Sequence, residues 1–105
     1  MEINVIGRHI EITPAIRDYA QTKAAKLPRY YDRIKAIEVV ADRVDHYNHY
    51  EVEVIVQVER ADPFVVKVVG EDLYACVDES VGKLERLLTD YKEKRRNRKH
   101  MKSQP

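Results

Sequence analysis

Hydrophobic positions along this chain follow two periods, one of two residues and one of three to four. Met1, Ile3 and Val5 alternate with Glu2 and Asn4, which predicts a strand with one buried face over residues 1–8. Gly7 marks its end or a bulge, and Arg8, His9 and Glu11 make a short polar connection. Thr13-Pro14 then starts a helix. Threonine caps the first N–H groups, and proline at the first helical position gives up only an N–H that has no partner there. Ile16, Ala20, Ala24 and Leu27 form its apolar stripe, with Tyr19, Lys23, Lys26 and Tyr30 along one edge. Pro28 biases Leu27 away from the α region, so the helix ends or kinks there.

Three strands follow with no helix between them. Ile37, Val39 and Ala41 alternate with Glu38, Val40 and Asp42. Val52, Val54, Val56 and Val58 alternate with Glu51, Glu53, Ile55 and Gln57 in the cleanest period-two pattern of the chain. Phe64, Val66 and Val68 alternate with Val65, Lys67 and Val69, and Gly70 closes the run. The links, His46-Tyr47-Asn48-His49 and Arg60-Ala61-Asp62-Pro63, are short and turn-like. From Asp72 to about Arg98 the period lengthens: Leu73, Val77, Val81, Leu84, Leu88 and Tyr91 fall on one helical stripe, with Asp72 as its N-cap. The order is β-α-β-β-β-α. This is an α+β fold in which both helices, each with one apolar stripe, pack on one face of a four-stranded sheet. The other face would carry Glu38, Asp42, Glu51 and Glu53.

Charge changes this picture more than composition does. The net charge is only +1, but residues 1–91 hold 12 Lys and Arg against 17 Asp and Glu, while residues 92–105 hold 7 against 1. A mildly acidic body therefore carries a strongly basic end. Past Tyr91 the apolar stripe stops and the cations continue, so this segment needs an anionic partner or stays solvated. A length of 105 residues gives one domain, placed at 1–98 with a basic, disordered tail at 99–105. One cysteine, Cys76, excludes an intramolecular disulfide framework. The first residues do not read as a leader, and no apolar run is long enough to span a bilayer, so the expected compartment is the cytosol, with no membrane partner.

Two blocks of residues resemble a known family. Asp72-Leu73-Tyr74-Ala75-Cys76-Val77-Asp78 followed by Lys83-Leu84-Glu85-Arg86-Leu87-Leu88 is similar to the D-L-Y-A-A-I-D…K-L-x-R-Q-L signature of ribosome hibernation-promoting factors, the sigma-54 modulation protein family. Gly7, Glu11-Ile12-Thr13, Lys23, Lys26-Leu27 and Tyr30-Tyr31-Asp32-Arg33-Ile34 match a second block. The resemblance covers residues 1 to about 100 and is to the short form. It implies a fold related to the double-stranded RNA-binding domain. It also implies binding to the small ribosomal subunit and its 16S-type RNA, in the channel that messenger and transfer RNA use. Translation would stop in starved or stationary cells. A second hibernation factor is a candidate partner, and the protein would be a monomer off the ribosome. No cofactor and no catalysis are implied. Cys76 stands where alanine is more usual, which a small buried site tolerates.

Ribosomal RNA presents closely spaced phosphates, which Lys and Arg neutralise with counterion release and little reading of sequence. Lys83 and Arg86, one turn apart beside the apolar stripe, are the best-placed ligands. Lys23 and Lys26 would complete a basic strip, and Lys92, Lys94, Arg95, Arg96, Arg98 and Lys99 would add a clamp. Tyr30 and Tyr74 are candidates for stacking on a base. The bland alternative is that these are solvated helix faces. His46 and His49 are three apart, but zinc needs three or four ligands and the one cysteine is distant, so no metal site is expected. Two further readings compete. The acidic sheet face could bind a basic partner through Glu51 and Glu53. Gly7-Arg8, between strand and helix, could serve an acyl-phosphate hydrolase, but the residues after it, His9-Ile10-Glu11-Ile12, bring a carboxylate and no further glycine to cradle phosphate.

Overall fold

In the computed structural model, which describes residues 1–44 and 49–102 and the side chains through Arg96, each periodic segment takes the expected form. Strand β1 is Glu2–Arg8, helix α1 Pro14–Ala24, β2 Ile34–Val44, β3 His49–Val58, β4 Phe64–Gly70 and helix α2 Leu73–Lys102. The strands lie in the order β1-β2-β3-β4. Strand β1 runs parallel to β2, joined by the α1 crossover, and the other pairings are antiparallel. Link residues 45–48, and with them His46, lie outside the described residues.

Both helices pack on one face, α1 against β1 and α2 against β3 and β4. The core between the layers holds Val5, Ile37, Val39, Ala41, Val52, Val54, Val56, Val58, Val66 and Val68 from the sheet. Ala20, Ala24, Leu27, Leu73, Val77, Val81, Leu84 and Leu88 meet them from the helix side. The helix starts are built as their residues dictate. Thr13 Oγ1 accepts from the Ile16 N–H at 3.2 Å with Pro14 behind it, and an Asp72 carboxylate oxygen accepts from the Tyr74 and Ala75 N–H groups at 3.0 and 3.4 Å. Pro28 has no N–H to donate to the Ala24 carbonyl, and Leu27 before it stays helical, in a 3-10 turn, rather than leaving the helical region. Helix α1 stops at Ala24, and a separate 3-10 turn, Leu27–Arg29, keeps Leu27 fully buried while Arg29 points to solvent.

The open face of the sheet carries the four expected acids. Glu38 faces Ile55, Val40 faces Glu53, and Asp42 faces Glu51 across the β2–β3 pair. They are half-buried, and two have close partners: Lys67 Nζ lies 3.3 Å from Glu51, and His9 Nδ1 lies 3.0 Å from Asp42. Ile6, Val65 and Val69 are exposed on this same face. At Gly7 a side chain would meet the Ile10 carbonyl oxygen, and would come within 2.8 Å of Ile12 Cγ1. Gly7 is thus an ordinary strand residue that lets the next loop fold back over it, and His9 turns the chain with φ 56. No helix among the described residues is long and apolar enough to cross a membrane.

Candidate nucleic-acid interface

Helix α2 is seated by its apolar stripe only as far as Leu88 and, half-buried, Tyr91. At 30 residues it is about 45 Å long. Its remaining three turns carry the basic run, and their helical backbone continues through Lys102. Lys92, Lys94 and Arg96 are exposed there, while Arg98 and Lys99 lie on the helix with side chains outside the described residues.

Arg95 is engaged differently. Its guanidinium donates from Nη1 to the Tyr31 hydroxyl at 2.8 Å and lies over the Tyr91 ring, 5.9 Å from the centroid. Tyr91 in turn meets Tyr31 and Phe64 edge-on at 5.4 and 5.2 Å. Tyr31 follows the Leu27–Arg29 turn, so this cluster brings that turn against the basic end of α2. Lys26 and Arg29, both exposed, therefore share one end of the molecule with Lys92 and Arg96. Sequence reasoning passed over Arg29 because Pro28 reads as a disruption. Its signal is a 3-10 turn whose buried leucine turns the next cation outward.

The expected strip across both helices is not continuous. Lys23 Nζ is 3.5 Å from Asp78 and 5.5 Å from the centre of the Tyr19 ring, and Tyr19 donates its hydroxyl to Asp78 at 2.6 Å. Lys23 is thus committed to the seam between the helices. Tyr74, offered as a stacking platform, packs edge-on against Tyr19 at 4.9 Å in that same seam. At about 100° per residue, Lys83 lies nine residues and half a turn round from Tyr74, hence on the far flank of α2. It is also two turns on from Cys76, whose sulfur faces Gly70 on β4. Lys83, with Arg86 beside it toward solvent, thus runs above the β4 edge and away from α1. Both are exposed, and neither has a carboxylate within 4.0 Å among the described residues. Lys94, three turns on from Lys83, continues this outer ridge. Arg96, eighteen residues or five turns on from Asp78, continues the inner one. On that inner flank Asp78 and Glu85 come before Lys92 and Arg96, so cations line both flanks of α2 only in its projecting end.

Residues 3–96 match the family described as sigma 54 modulation protein / S30EA ribosomal protein. The chain belongs to that family. Curated S30EA-family relatives named ribosome hibernation promoting factor include those of Escherichia coli K12 and Klebsiella oxytoca. Each is 34% identical and spans 90% of this chain and 96% of the relative. Among solved structures, the N-terminal domain of Thermus thermophilus Protein Y superposes with a TM-score of 0.76 at 34% identity, covering 87% of this chain and 99% of that one. A ribosomal subunit interface protein from Coxiella burnetii gives 0.78 at 25% identity, covering 89% and 99%. The Asp72–Asp78 run that resembles the S30EA signature does structural work here. Asp72 caps, Leu73, Cys76 and Val77 are buried, Tyr74 packs on Tyr19, and Asp78 ties the two helices. The second half of that signature, Lys83 to Leu88, supplies both buried Leu84 and Leu88 and exposed Lys83 and Arg86.

Proposed function

We propose that this protein binds the RNA of the small ribosomal subunit, in the channel used by messenger and transfer RNA, and so inhibits translation and promotes ribosome hibernation in starved or stationary cells. It acts by occupancy rather than catalysis, as a cytoplasmic protein that is monomeric off the ribosome. The observation that carries this reading is the projecting end of α2, cationic on both flanks and joined to a body of opposite charge. Phosphates spaced along an RNA groove satisfy such a surface, and the acidic body is repelled from closer approach. The names of the S30EA-family relatives favour the ribosome as the source of that RNA. Residues 1–98 would serve as the binding domain, and residues 99–105 would add phosphate contacts.

Within this interface Lys92, Lys94, Arg96, Arg98 and Lys99 contact phosphate, with Lys26 and Arg29 beside them and Lys83 and Arg86 on the outer ridge. Lys23 and Arg95 hold the scaffold. The experiment is pelleting with purified small subunits through a sucrose cushion at rising salt. The full chain is expected in the pellet at low salt, with progressive loss as salt rises. A chain carrying Lys92→Glu, Lys94→Glu and Arg96→Glu is expected in the supernatant. A full chain that stays in the supernatant at low salt refutes the reading. The acidic sheet face is the weaker candidate, because Lys67 and His9 already sit on two of its four carboxylates. As for phosphate hydrolysis at Gly7-Arg8, an acceptor carbonyl and an isoleucine side chain fill the space at Gly7 where N–H donors would be needed.

A further inference from the structure

We infer that Tyr31 and Arg95 are positioning residues: they form a latch that aims the basic end of α2, and Arg95 spends its hydrogen bonds on the protein rather than on RNA. The inference rests on the RNA-binding reading above and assigns different work to one of its cations.

The apolar stripe that seats α2 gives out at Tyr91. A helix continued beyond its last buried residue has little to hold its direction, since isolated turns are marginal in water. Arg95 stands one turn after Tyr91 on the same face, so it is the last described side chain of α2 that meets the body. Its planar fork donates to the hydroxyl of Tyr31, a residue only 4% exposed, and its face lies over Tyr91. Tyr91 is wedged between Tyr31 and Phe64. The latch therefore adds one turn to the seated length of α2. It also fixes the angle at which Lys92 and Arg96 leave the body beside Lys26 and Arg29. An arrangement held in place before binding loses less freedom on a partner of matching shape, and gains little on a flexible polyanion. The latch thus favours structured RNA over generic negative charge.

Three full-length chains separate the possibilities: the wild type, Tyr31→Phe, and the double variant Tyr31→Phe/Arg95→Leu. The double variant replaces the polar pair by an apolar one of similar reach, an exchange that can be close to neutral when both partners change together. Each is measured for amide exchange over residues 92–96 in the free protein, and for affinity to purified small subunits and to heparin across a salt series. In Tyr31→Phe, exchange is expected to rise about tenfold and subunit affinity to fall about tenfold, with heparin affinity within about twofold of wild type. The double variant is expected to restore slow exchange and subunit affinity. It should also keep the wild-type salt slope despite one charge fewer, because Arg95 releases no counterion on binding. Unchanged exchange in Tyr31→Phe, equal losses on heparin and subunits, or a double variant whose salt slope falls by about 0.7–0.9 each overturns the latch. If no chain pellets with subunits while the exchange difference persists, the ribosomal reading falls and the latch as an element of the free protein stands.

Discussion

Gly7 lies where a methyl group would run into the Ile10 carbonyl oxygen and the Ile12 side chain, neither of which can withdraw without moving the loop between β1 and α1. Gly7→Ala is therefore expected to lower the unfolding free energy by about 2 kcal/mol, read from urea denaturation, although its φ suits alanine. Tyr19 gives a second residue-scale test. Its hydroxyl donates to Asp78, and that bond, followed by partial burial and the charge of Asp78, pushes its titration above the ordinary value of 10.0. A raised folded-state pKa means that the folded chain holds the proton longer than the unfolded one. The resulting stability is complete below pH 10 and is lost as pH climbs from there through the folded value. Denaturation midpoints should fall over that alkaline window in the wild type and fall less in Asp78→Asn. Ultraviolet titration should show one late tyrosine that reverts in the variant. Gly7's crowding comes from Ile10 and Ile12 nearby in the chain but depends on how that loop folds back, and Tyr19's partner lies 59 residues away, so neither is visible in sequence.

At the scale of elements, local chemistry was legible. The alternation in β3 and the caps at Thr13 and Asp72 dictate structure through neighbours in the chain, and those elements are where periodicity puts them. Removing the cap with Asp72→Ala should cost about 1 kcal/mol, whereas Leu84→Ala, in the fully buried stripe of α2, should cost about 3 kcal/mol. Comparable losses in urea melts would mean that α2 is held by its start as much as by its core face. What the sequence could not convey is the phase of α2 against α1. The stripe says which side of α2 faces the sheet, but only the strand order says which flank then meets the other helix. Lys23, Lys26, Lys83 and Arg86 therefore read as one strip, while the fold puts Lys83 and Arg86 on the opposite flank from Lys23. Arg95 illustrates the same limit: it sits among six other cations of residues 92–105, and its distinction comes from Tyr31, 64 residues earlier.

For the whole molecule, separation of charge is the property with consequences in solution. If Lys92 and Arg96 each release a counterion from RNA, Lys92→Gln/Arg96→Gln should flatten the dependence of log affinity on log salt by about 1.4–1.8, while Glu53→Gln leaves it unchanged. Fluorescence titration against small subunits at several salt concentrations measures both. Strand β4 carries a different consequence. It closes the sheet on one side with the run Val65, Val66, Lys67, Val68, Val69, in which Val65 and Val69 are half exposed and Lys67 bears the only charge. A border of β-branched residues is a template on which a neighbouring molecule can lay its own backbone, and one ammonium in the middle is the sort of guard that discourages it. Lys67→Val should fold as readily as the parent and then clump as protein concentration rises, with light scattering and thioflavin fluorescence growing after a lag. Keeping the protein dispersed would thus rest on a residue that takes no part in holding RNA.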